Sequence, residues 1–112
     1  MAKQTLRGSG TLWEAEELLL REIPKCGITC ELKDRISHDR DGQQLTVMVF
    51  EKYYMRVGNY ASLTAVVSGR DGDVSVDLIS AGARSGVVGF SWGAEDKFVR
   101  TVAELLQKHG FQ

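Results

Sequence analysis

From Ile28 to Leu78 apolar residues return at alternate positions, and two Asp-Gly pairs, Asp41-Gly42 and Asp71-Gly72, interrupt the run. A period of two belongs to strands, whose successive side chains point to opposite faces. Asp-Gly between two such runs is a hairpin signal, because the tightest turns need residues that tolerate positive φ. Strands joined by short turns run antiparallel. The middle of the chain is therefore expected to be an antiparallel meander.

Ile28, Cys30, Leu32 and Ile36 fall on one side of the first of these strands, and Thr29, Glu31, Lys33 and Arg35 on the other. Leu45 to Tyr54 is apolar on both sides, with Leu45, Val47 and Val49 against Met48 and Phe50. A looser connection around Gly58-Asn59 leads to Leu63, Ala65 and Val67, which alternate with Ser62, Thr64 and Ser68; Val74, Val76 and Leu78 return the chain. Lys3 to Gly8 reads as a short first strand, and Val88, Phe90 and Trp92 as a further one.

Two helical stripes flank the meander. Thr11 with Glu14 three residues on is a capping box. Behind it Leu12, Ala15, Leu18, Leu19 and Ile23 recur at helical spacing until Pro24 and Gly27 stop the helix. Trp13 and Leu20 widen its apolar face. Near the C-terminus a glycine-rich segment (Gly82, Gly86, Gly89, Gly93) runs into a second helix, with Phe98, Val99, Val102, Leu105 and Leu106 on one stripe and His109-Gly110 as its C-terminal stop. Both helices are one-sided, so both are expected on the same face of the sheet. The fold class is α+β: a single domain over residues 1–112, an antiparallel meander of four to six strands with two helices on one face, in the order strand, helix, strands, helix.

Composition narrows the function classes. The 112 residues carry a net charge of −1 with 26% charged residues, which argues against a nucleic-acid partner, where a basic excess is usual. There is no apolar run long enough to span a membrane and no signal-peptide core at the N-terminus. Two cysteines without an export signal fit the reducing cytoplasm.

No catalytic constellation stands out. Cys26 and Cys30 are spaced C-x3-C without a second ligand pair, and His38 and His109 are single and far apart, so no metal, cofactor or redox role is expected. Asp39, Asp41, Asp71 and Asp73 belong to hairpin turns and lack the closing glutamate of a calcium loop. Lys52, Tyr53, Tyr54 and Arg56 mix basic and aromatic residues, but Glu51 adjoins them and they read as a strand end. The glycine-rich segment is a candidate anion cradle through Arg84, Ser85 and Gly86, close to a helix N-terminus.

The run Phe50 to Arg56, the strand Ala61-Ser62-Leu63-Thr64, and Phe90-Ser91-Trp92-Gly93-Ala94-Glu95-Asp96 resemble a small family of bacterial proteins of this size, a domain of unknown function. That resemblance spans most of the chain and implies no activity, substrate or catalytic residue.

Three classes remain, in this order: a cytoplasmic, non-enzymatic interaction module that self-associates, by preference as a homodimer; a binder of a small anion or small molecule, using the helix–sheet space and residues 82–93; and an enzyme. The first rests on strand parity. With Leu45 and Val47 assigned to the helix side, Met48, Phe50, Val66 and Ile79 are expected to form an apolar patch on the opposite face, where an exposed patch usually has a partner.

Overall fold

The computed structural model describes residues 2–27, 29–55, 58–82 and 94–112, with backbone only at 94 and 95. Strand β1 (Ala2–Gly8) is followed by helix α1 (Leu12–Glu22), a short 3-10 helix (Ile23–Cys26), strands β2 (Glu31–Arg40), β3 (Gln43–Tyr54), β4 (Asn59–Arg70) and β5 (Asp73–Gly82), and helix α2 (Ala94–Lys108). The five strands form one antiparallel sheet in the order β1-β5-β4-β3-β2. The segment containing α1 carries the chain from one edge of the sheet to the other. The meander then walks back until β5 lies beside β1. The expected fold class is the one observed. Val88, Phe90 and Trp92 lie outside the described residues.

Local chemistry sets the helix ends. The Thr11 hydroxyl accepts from the Glu14 N–H at 3.0 Å, and the Glu14 carboxylate accepts from the Thr11 N–H at 3.2 Å, completing the capping box. Asp71, at the tip of the β4–β5 hairpin, accepts the Leu12 N–H at 3.0 Å, and the Gly72 N–H donates to the Gly10 carbonyl at 2.8 Å. The Asp71-Gly72 turn is therefore also the anchor of the α1 N-terminus, a tertiary role that its sequence does not announce. At the other hairpin Asp41 and Gly42 have φ of 54° and 79°, the double positive φ of a type I′ turn.

Helix α2 ends as its sequence suggests. The Phe111 N–H bonds to the Leu106 carbonyl at 3.1 Å and the Gly110 N–H to the Gln107 carbonyl at 3.2 Å, with Gly110 at φ 94°. This is the Schellman arrangement. It turns Phe111 onto β1, where a Cβ added at Gly8 would lie 2.7 Å from the phenyl ring. Gln112 and Arg7 then exchange two backbone hydrogen bonds, of 2.8 and 3.3 Å.

Both helices lie on one face of the sheet: α2 over β1, β5 and β4, and α1 over β4. Between the layers sit Leu6, Leu63, Ala65, Val67, Val74, Val76 and Leu78 from the sheet, Leu12, Leu18 and Leu19 from α1, and Phe98, Val102 and Leu106 from α2.

Two expectations about parity need correction. Met48 and Phe50 are not on the open face; both are 0% exposed and belong to this core, while Leu45, Val47 and Val49 face away from the helices. The register is decisive: Phe50 pairs with Leu63 and Met48 with Ala65, both core residues, whereas Val47 pairs with Val66. Strand β2 also breaks its parity. A bulge shifts the register between Leu32 and Asp34, so Leu32 stands opposite Phe50 while Ile36 stands opposite Val47. One extra residue sends the later side chains to the other face.

Candidate interaction surface

The face of the sheet that α1 and α2 leave uncovered is assembled from alternate residues of all five strands. The registers arrange them in rows across the sheet. One row runs Ile36, Val47, Val66, Asp77, Thr5. The next runs Asp34, Val49, Thr64, Ile79, Lys3. A third begins His38, Leu45, Ser68 and ends Ser75, Arg7. Six apolar side chains, Ile36, Leu45, Val47, Val49, Val66 and Ile79, thus come together on four strands. Ile36 is 55% exposed, and Leu45 and Ile79 are each 38% exposed. A shallow trough of about 540 Å³ crosses the β1 side, lined by Lys3, Thr5, Val66, Asp77 and Ile79 among others.

Charge is arranged around that centre. Lys3 and Arg7 stand on the β1 edge; Asp34, Glu31 and Glu51 stand toward the β2 edge, with Arg40 at the hairpin end of β2. Lys33 pairs with Glu31 and lies 3.9 Å from Glu51, so the three together keep one net negative charge. Among the described residues Lys3 has no ion-pair partner, and Asp34 accepts only the Arg35 N–H at 2.7 Å. Asp77 is held by the Thr5 hydroxyl. Beyond the patch, Tyr53 and Tyr60 meet edge to face with centroids 5.1 Å apart.

Strand β2 adds to this surface. All ten of its residues are exposed, on both faces. Among the described residues the Arg35–Glu16 ion pair at 3.2 Å ties it to α1, and the Ser37–Thr46 hydroxyl contact at 3.0 Å ties it to β3. The two sheet edges thus differ. Gln112 occupies part of the β1 edge, whereas β2 relies on charge and a bulge, features that discourage indiscriminate strand pairing.

The sequence-derived sites are distributed as follows. Val66 and Ile79 are on the uncovered face, in adjacent rows; Met48 and Phe50 are not. Ile36, Leu45, Val47 and Val49 take their place. The Asp41-Gly42 turn carried part of the missing signal, since a two-residue loop fixes Arg40 against Gln43 and hence Ile36 against Val47. Arg84, Ser85 and Gly86 lie outside the described residues. The helix–sheet space proposed for a small ligand is occupied, across the described residues, by the core side chains.

Lys52 and Tyr54 lie on the helix side, apart from Tyr53. The Lys52 ammonium donates to the Cys26 carbonyl at 2.8 Å and sits 4.9 Å from the centroid of the Tyr54 ring. Tyr54 in turn meets Phe98 edge to face. Burial, helped by neighbouring Cys26, pushes the Cys30 thiol up to about 11; burial also raises Cys26, and it pushes the Tyr54 hydroxyl up to about 12. Lys52 pulls both thiols the other way without prevailing. Protonated thiols are poor nucleophiles and poor metal ligands. Among the described residues no group of three or more His, Cys, Asp or Glu is placed to hold a metal ion, and no helix is long and apolar enough to cross a membrane.

A groove of about 360 Å³ runs beside α1, lined by Trp13, Glu17, Arg21, His109 and Phe111 among others. Trp13 is 68% exposed there.

No curated protein and no solved structure matches this chain. A family model does, over residues 1–110, and its description is a family of unknown function, DUF6054; the chain belongs to that family.

Proposed function

We propose that this chain is a non-enzymatic interaction module that self-associates through the uncovered face of its sheet. The observation that carries the reading is the apolar patch of Ile36, Leu45, Val47, Val49, Val66 and Ile79 on one face of the five-stranded sheet. Had this face simply met water, its positions would be polar, as Ser62, Thr64, Ser68 and Ser75 are. A contiguous apolar patch on a sheet usually marks an interface. Two-fold dimers are the commonest soluble assembly, and a second copy brings an identical apolar face with it. Sheets packed face to face bury such patches about 10 Å apart, as in a β-sandwich.

Multi-angle light scattering at micromolar concentration tests this. The expected mass is twice the 12.4 kDa of one chain. Val66→Glu, which places a carboxylate in the middle of the patch, is expected to give a folded monomer. A strictly monomeric wild type contradicts the reading, and a dimer unaffected by Val66→Glu moves the interface off this face.

A further inference from the structure

The uncovered face is asymmetric in charge across the sheet, and that asymmetry specifies how two copies meet. The row Asp34, Val49, Thr64, Ile79, Lys3 crosses the sheet from β2 to β1, with its centre, Thr64, on β4. A carboxylate ends the row on one side and an ammonium on the other, each two strands from the middle. At the usual strand spacing the row is about 19 Å long. Neither end group has an ion-pair partner among the described residues.

Resting on the self-association reading, we propose that the partner is a second copy of this chain, docked face to face about a two-fold axis that runs along β4, so that Lys3 of each copy meets Asp34 of the partner subunit. Rotation about that axis reverses the strand order while keeping each row at its own level. Strand β1 of one copy then lies over β2 of the other. Val49 faces Ile79 of the partner subunit, Ile79 faces Val49 of the partner subunit, and Val66 packs against Val66 of the partner subunit near the axis. The two Lys–Asp pairs close the row at both ends. Facing sheets are separated by about 10 Å, a gap that a lysine and an aspartate side chain span together.

The other face-to-face arrangement places the two-fold axis across the strands. It stacks β1 on β1 and β2 on β2. Lys3 and Arg7 then meet the same cationic edge of the partner, and the Lys3–Asp34 pairing is lost at both ends of the row. Like charges brought together across an interface oppose association and exclude the wrong alignment. The Lys3–Asp34 pairing, and the separation of the two Lys3/Arg7 edges, thus favour the axis along β4.

A charge-swap experiment on the full chain, read by sedimentation equilibrium at low salt, tests the axis separately from dimerisation. Lys3→Asp places two carboxylates at each end of the row, and Asp34→Lys places two ammonium groups there. Each variant alone is expected to raise the Kd about tenfold or more. An equimolar mixture of the two variants is expected to recover wild-type affinity, because the mixed dimer has opposite charges at both ends. Both positions are exposed strand residues, and circular dichroism checks that each variant folds. A wild-type dimer that ignores both reversals overturns the axis while leaving self-association intact. Weakening by each reversal without rescue in the mixture also overturns the Lys3–Asp34 pairing. A wild type that is monomeric at micromolar concentration overturns the axis together with the reading beneath it.

Discussion

On the helix side of the sheet Met48, Phe50, Leu63, Val67, Val76 and Leu78 are sealed from water. On the other side Ile36, Leu45, Val47, Val49, Val66 and Ile79 form a second apolar cluster with no layer of this chain above it among the described residues. On β3 the two faces differ in the volume of their side chains. Phenylalanine and methionine go to the helix side of β3, where two helices can close around them. Valines, shorter and stiffer, go to the uncovered side, where they are half-buried between neighbouring strands. Hydrophobicity alone does not distinguish a core from an interface. The polar residues mixed in do so better: β4 carries Ala, Leu, Ala and Val toward the helices but Ser, Thr, Val and Ser on the other side.

The sharpest break between the faces is expected in stability. Phe50→Ala removes a fully buried ring and is expected to cost about 3–5 kcal/mol in chemical denaturation. Val66→Thr, at similar shape on the uncovered face, is expected to change the monomer by less than about 1 kcal/mol. The comparison belongs at high dilution, because association adds stability that depends on concentration. Equal losses at the two positions would remove the distinction between core and interface.

Association inverts the ranking. Val66→Glu is expected to raise the dimer Kd about 100-fold or more, because two carboxylates would meet near the axis with little water between them. Sedimentation equilibrium reads the change directly. A smaller effect is expected where the helix layer is tied to the sheet: Asp71→Ala removes the acceptor for the Leu12 N–H and should lower stability by about 1 kcal/mol. That loss should leave the dimer Kd unchanged, since Asp71 is at a hairpin tip and not on the uncovered face.

The smallest expected effect is alkaline. An exposed or unfolded Cys30 thiol ionises near 9.0 and the folded one near 11, so the neutral thiol is the form the fold favours. Its contribution is fully present below pH 9 and is lost as pH rises from 9 to 11, where the unfolded chain releases its proton first. Wild type should lose on the order of 1 kcal/mol relative to Cys30→Ala over that window, measured by denaturation midpoints. Parallel pH profiles for the two proteins would show that the thiol is not held neutral by the core.

Much of the architecture was legible because local signals agreed with one another. The capping box at Thr11, the Asp-Gly turns, the stripe on α2 and the Gly110 stop each specify one local geometry, and each is present in the fold. The parity of β3 was not legible. Its two faces are both apolar, and the sequence between it and β4 has no Asp-Gly pair that would set a register. The clear alternation of β4 therefore could not be passed to β3. In β2 the bulge after Leu32 has no glycine to announce it, so Ile36 was assigned to the face of Leu32. Of the candidate interface, Val66 and Ile79 were found because their own strands alternate cleanly, and Val47 was missed because its strand does not.

Methyl NMR spectra recorded over a dilution series separate the two faces, because they report on each face residue by residue. Concentration-dependent shifts are expected for the methyl groups of Val47, Val49, Val66 and Ile79. None are expected for Val67, Val76 and Leu78, which lie on the same strands as Val66 and Ile79 but under the helices. Shifts on the helix side, or none on either face up to micromolar dimer-forming concentrations, would contradict self-association through the uncovered face.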